Sequence, residues 1–167
     1  MALLKILFGV IFLMIIYQDF RERKVSVVFY IMLMLVCIVN AVLNMNLYLW
    51  ILNFILNISL IGLFILTFFL ITKIKGKASL FEMIGMGDIV FFIGLSFGIP
   101  FVSYISLLTL FSLLTLITHL VVMRYLSDKS IPLAGWFSIW FIGVLFLEKG
   151  DLGFGLEYFL INGIVRY

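Results

Sequence analysis

The chain has 167 residues, of which 66% are hydrophobic and only 11% charged, against roughly 25% charge in an ordinary soluble domain. Too few polar residues remain to clothe a water-facing surface, which excludes most cytoplasmic enzymes, secreted modules, any Rossmann or P-loop domain, and a sequence-specific nucleic-acid binder. The net charge of +3 reads first as a report on membrane orientation, not as a nucleic-acid footprint.

A helix crossing the hydrocarbon core needs about 20 apolar residues. Apolar runs between charge clusters predict helices over 2–18, 25–43, 47–72, 85–99, 101–123 and 131–147. The expected fold is all-α: a polytopic bundle of six transmembrane helices, with residues 1–167 forming a single membrane domain and no soluble domain. In the first run Lys5 precedes an apolar core, as in a secretory signal. Gln18-Asp19-Phe20-Arg21 stands where a small-residue cleavage site belongs, so the run reads as a permanent helix. The final apolar stretch, 152–165, is short and broken by Gly153 and Gly155; it is expected at the interface or against the bundle.

Basic residues fall in alternate loops. Arg21, Arg23 and Lys24, then Lys73, Lys75 and Lys77, then Arg124 and Lys129 lie on one side; Lys5, Lys149 and Arg166 lie on the other. The positive-inside rule places the three basic loops in the cytoplasm and both termini outside. The lone Cys37 excludes an intramolecular disulfide and a CxxC pair. With one histidine, His119, a metal site would rest mainly on carboxylates, and neither a metal nor another cofactor is expected.

The acids are Asp19, Glu22, Glu82, Asp88, Asp128, Glu148, Asp151 and Glu157. Asp19 ends the first predicted helix, and Asp88 opens the fourth, directly after Gly85-Met86-Gly87. Both belong to the cytoplasmic ends of their helices, at similar depth. An acid facing a helix bundle is costly and marks a functional site by default. Two at one level can share a proton and hold a water between them, as aspartic proteolysis requires, and such a pair titrates as one coupled unit. Gly85 and Gly87 lack a Cβ, so a sharp bend or a strand-like segment beside the acid is expected there, open to an extended substrate. Taken singly, each feature also has a plain reading: an interfacial acid or N-cap, and a flexible turn.

Gly85-Met86-Gly87-Asp88 resembles the GxGD signature of membrane aspartic peptidases. Asp19-Phe20-Arg21-Glu22-Arg23-Lys24-Val25 is similar to the first-aspartate motif of the type IV prepilin peptidases, Asp-x-Arg-x-Arg-x-Ile-Pro-Asn. The spacing of Gly94 and Gly98, and Ile131-Pro132-Leu133-Ala134-Gly135 opening the last predicted helix, also resemble that family over roughly residues 1–147. Ser26 and Val27 stand where the family has Pro-Asn, and Val90 where a lysine commonly follows the second aspartate. The resemblance implies a leader peptidase with Asp19 and Asp88 catalytic and Gly85 and Gly87 shaping the backbone. Its substrates would be prepilin or pseudopilin precursors, cut at the cytoplasmic face between a basic leader and an apolar helix. The cysteine-bearing loop of bifunctional members is missing, so the short, peptidase-only form is implied, without N-methyltransferase activity. Glu22 and Glu82 lie in the same loops, where they read either as solvated charges or as contacts for the basic leader.

Ser106, Thr109, Ser112, Thr115 and Thr118 beside His119 read as helix-packing residues, as do Asn53, Asn57, Gly94 and Gly98. A rival of another class, a small transporter or proton-conducting channel, would use Asp19, Asp88 and His119 as relay groups. Both acids at one face, with no inverted repeat, speak against it. A non-catalytic pilus assembly subunit is a third reading and would not need both acids.

Overall fold

The computed structural model describes residues 2–75, 85–122 and 133–147, and every regular element among them is an α-helix. These are α1 (Ala2–Glu22), α2 (Val27–Asn44), α3 (Leu47–Lys75), α4 (Met86–Ser96), α5 (Phe101–Val122) and α6 (Leu133–Leu147). Glu82, the loops bearing Lys77, Arg124 and Lys129, the Ile131-Pro132 pair and the apolar stretch 152–165 lie outside the described residues.

α1, α2, α3 and α5 are long and apolar enough to cross a membrane. The other two are short. With a rise of 1.5 Å per residue, the 11 residues of α4 reach about 16 Å and the 15 of α6 about 22 Å, against a hydrocarbon core of about 30 Å. The multi-pass, all-helical architecture is as expected; among the described residues, four of the six predicted spans are long enough to cross.

Two helix ends differ from expectation. α1 continues past its apolar run through Asp19 to Glu22, because charged residues stay compatible with helix once side chains reach a polar environment. It stops where Arg23 takes the left-handed conformation, φ 54°; the Ser26 N–H then donates to Gln18 Oε1 at 2.8 Å, turning the chain into α2. α4 ends at Ser96 instead of 99, giving way to a turn before Pro100.

The outer surface is apolar, with Leu3, Leu13, Val42, Leu63 and Leu113 all exposed. Lipid tails are as apolar as these side chains, so burial alone gives helices no reason to associate; shape and polar contacts must hold them. Aromatic packing supplies the first. Phe12 of α1 stacks on Phe141 of α6 at 5.3 Å, Phe111 of α5 meets Phe141 edge-on at 5.0 Å, and Phe91 of α4 contacts Phe12, Phe137 and Tyr30. α1 packs most extensively along α6, and α4 is surrounded by α2, α3 and α6.

Polar contacts clamp the far end of α4. Asn57 Nδ2 donates to the carbonyls of Ser96 and Ile99 at 3.2 and 2.8 Å, Asn53 Oδ1 accepts from the Phe101 N–H at 2.8 Å, and Trp50 Nε1 donates to the Phe97 carbonyl at 2.7 Å. Backbone groups freed at the α4–α5 turn are thereby satisfied from α3, the interhelical role expected of Asn53 and Asn57. Ser106, Thr109, Ser112 and Thr118 behave differently: each hydroxyl donates to a carbonyl four residues back on α5. Bonding within the helix satisfies these hydroxyls without a partner on another helix, while Thr115 of the same series is buried, in keeping with helix packing.

Gly98 lets the turn press on α2. A Cβ built there would lie 2.8 Å from Cys37 Cα. Gly98→Ala is therefore expected to lower stability by about 1–3 kcal/mol, read as a drop in the detergent-solubilised unfolding temperature.

Candidate active site

Asp19 sits one turn inside the end of α1, and Asp88 in the first turn of α4. A third helix gathers them. The Gly135 N–H donates to Asp19 Oδ2 at 2.6 Å, and the preceding N–H, of Ala134, donates to Asp88 Oδ1 at 3.2 Å. The first amides of a helix have no acceptor within it, and the positive end of the helix dipole favours negative charge. The start of α6 thus receives both acids on adjacent donors, which brings the two oxygens within roughly 10 Å of each other. The charge of Asp19 acts on Asp88. Asp19 is 8% exposed and Asp88 half-buried.

The glycines make room for these groups. A Cβ on Gly85 would come 3.0 Å from Asp88 Oδ2; one on Gly87 would come 2.8 Å from the Tyr30 hydroxyl oxygen; one on Gly135 would come 2.8 Å from the Phe20 ring and 3.0 Å from Asp19 Oδ2. The expectation of a bend or strand at Gly85-x-Gly87 is met only at Gly85, which is extended (φ −59°, ψ 132°) and starts the helix through its carbonyl, 3.0 Å from the Asp88 N–H. Gly87 lies within α4. Its missing side chain serves a neighbour's hydroxyl, not a backbone bend.

Around the acids, Phe20 packs edge-on against Trp136 at 5.3 Å, covering the start of α6. The positive charge of Arg23 acts on Asp19. Arg21 lies over the Tyr17 ring, its guanidinium carbon 5.5 Å from the centroid, and Arg21 Nη1 donates to the Tyr17 hydroxyl. Glu22 is exposed as the last residue of α1, one turn from Asp19. His119 falls in α5. Among the described residues, no group of three His, Cys, Asp or Glu is placed to hold a metal ion.

Three groups near the acids have no chemical signature of their own in the sequence. Tyr30, on α2, is buried, and the charges of both aspartates act on its phenol. The amides of Ala134 and Gly135 are backbone groups, with no side-chain signature of their own. A sequence signal for Tyr30 does exist in indirect form: a glycine inside a helix asks what occupies its empty Cβ position.

Two carboxyls on adjacent amides, one buried and one half-buried, can hold a proton and a water between them. One can accept a proton from that water while the other donates to a carbonyl oxygen. No family model matches the chain, and no curated protein or solved structure matches it.

Proposed function

We propose that the chain is a membrane-embedded aspartic endopeptidase of the type IV prepilin peptidase kind, which removes the basic leader of a prepilin-like precursor. The observation that carries this reading is the convergence of Asp19 and Asp88 on the consecutive amides of Gly135 and Ala134. One carboxylate takes a proton from the lytic water, and the resulting hydroxide adds to the scissile carbonyl. The other carboxyl, protonated, donates to that carbonyl's oxygen. Collapse of the tetrahedral intermediate breaks the C–N bond as a proton passes to the leaving nitrogen, and the pair returns to its starting state. The only co-reactant is water.

Six helices enter the bilayer in this reading, with α4 and α6 as partial spans. The termini lie outside, and the dyad lies at the cytoplasmic face, where eight of the eleven basic residues fall. The substrate's leader is cytoplasmic and its following helix apolar, so the scissile bond lies at the same level. Glu22, beside Asp19 and exposed, is suited to meet a basic leader.

The test is co-expression with a precursor bearing a basic leader, a small residue and an apolar helix, with leader removal followed on a gel. Wild-type chain should release the leader, and Asp19→Asn and Asp88→Asn should not. Processing by both variants at the wild-type level would overturn the reading.

A further inference from the structure

Beside the two acids stands a third polar group without a role in the mechanism above. Tyr30 is 4% exposed, and its ring meets Phe91 edge-on at 6.5 Å, one turn along α4 from Asp88. Its hydroxyl lies over Gly87, 2.8 Å from where a Cβ would be, while its own backbone carbonyl lies 3.8 Å from the Cβ position of Gly94. Two helical glycines thus let α2 and α4 close together at Tyr30. Gly87 is the residue directly before Asp88, so the hydroxyl lies over the chain that carries the second acid.

This arrangement is costly if the ring is only filler. Glycine inside a helix destabilises it relative to alanine. Phenylalanine at 30 with alanine at 87 would remove that cost, because the nearest ring carbon is already at 3.6 Å from that Cβ position, an ordinary contact. The hydroxyl therefore has a reason to be there that packing does not supply.

We infer that the Tyr30 hydroxyl is a third functional group of this site, donating a hydrogen bond to the oxygen that gains negative charge on the attacked carbonyl. The inference rests on the peptidase reading. In the mechanism above the carbonyl oxygen receives one hydrogen bond, from the protonated carboxyl, and an oxygen gaining negative charge has lone pairs for a second donor. A phenol is a neutral donor that stays protonated across the working range of a carboxyl pair, so it stabilises the oxyanion without altering the proton count.

The test uses the full chain in proteoliposomes and a synthetic precursor. Tyr30→Phe should lower kcat by about 10- to 100-fold, with KM within about twofold. Both limbs of its pH–rate profile should stay in place, since they belong to the carboxyl pair, and its unfolding temperature should not fall. Gly87→Ala should lose activity by pushing the hydroxyl aside; adding Tyr30→Phe to it should restore stability and cost no further activity. Wild-type kcat in Tyr30→Phe would overturn the inference while leaving the peptidase reading intact. So would a loss explained by a smaller folded fraction, or losses from the two substitutions that simply multiply. If wild-type chain cleaves no precursor of this chemistry, both readings fall.

Discussion

Replacing either aspartate with asparagine is expected to lower leader cleavage by about 10²- to 10⁴-fold while the protein remains folded. Asparagine keeps an oxygen that accepts from the α6 amides, so the contacts of Gly135 N–H with residue 19 and of Ala134 N–H with residue 88 survive. It cannot accept a proton from water. Asparagine at either position also removes the charge coupling between the two acids, so the unfolding temperature should hold or rise. Alanine is the poorer probe: Asp19→Ala strips the buried Gly135 N–H of its acceptor, at about 1–3 kcal/mol. Because the acids act as a unit, Asp19→Asn with Asp88→Asn together should be no slower than the worse single variant. Multiplying losses would mean two independent roles and no shared water. Leader release on a gel, with thermal unfolding of the same preparations, checks both parts.

Gly135→Ala is expected to lower kcat by about 10²-fold although the residue contributes no side chain to the chemistry. The new Cβ would lie 2.8 and 2.9 Å from two ring carbons of Phe20 and 3.0 Å from Asp19 Oδ2, so one of these groups must shift. A displacement of about 1 Å in a catalytic group costs on this order. Two companion variants separate the routes. Phe20→Ala combined with Gly135→Ala recovers activity if the push passes through the ring, and does not if it falls directly on the carboxylate. Gly143→Ala, eight residues along α6 with nothing within 4 Å of its Cβ position, should be silent. A silent Gly135→Ala would mean that the start of α6 does not set the position of Asp19.

These two positions show what a linear reading can and cannot reach. Asp19 and Asp88 stand out because acids are few in an apolar chain, and scarcity needs no structure to be seen. α3 and α5 are legible for a related reason, since a long uninterrupted apolar run has few other uses. The end of α1 is not, because hydropathy marks where lipid stops and says little about where hydrogen bonding stops; the helix runs on through Asp19 to Glu22. Gly135 meets Asp19 across 116 residues of sequence, and no local pattern encodes that contact. Tyr30 sits in an apolar run where a phenol looks like any aromatic filler, and only the empty side of Gly87 distinguishes it. The hydroxyls of α5 were legible as polar but not as inward or outward, since their partner is the helix that carries them.

The shortness of α4 reaches beyond the bundle itself. This helix covers about half the thickness of the hydrocarbon layer, and Asn57, Asn53 and Trp50 hold its far end to α3, so it cannot slide to meet either headgroup plane. In the membrane reading proposed above, a bundle built around so short a helix is matched best by a thin bilayer. On the peptidase reading that match is chemical, because water is the second substrate. The acyl chains then become part of the rate law: with the acids at the cytoplasmic face, thin bilayers bring the aqueous boundary toward Asp88, and thick ones withdraw it. Turnover should then decline as lipid chains lengthen, with the amino-acid sequence unchanged.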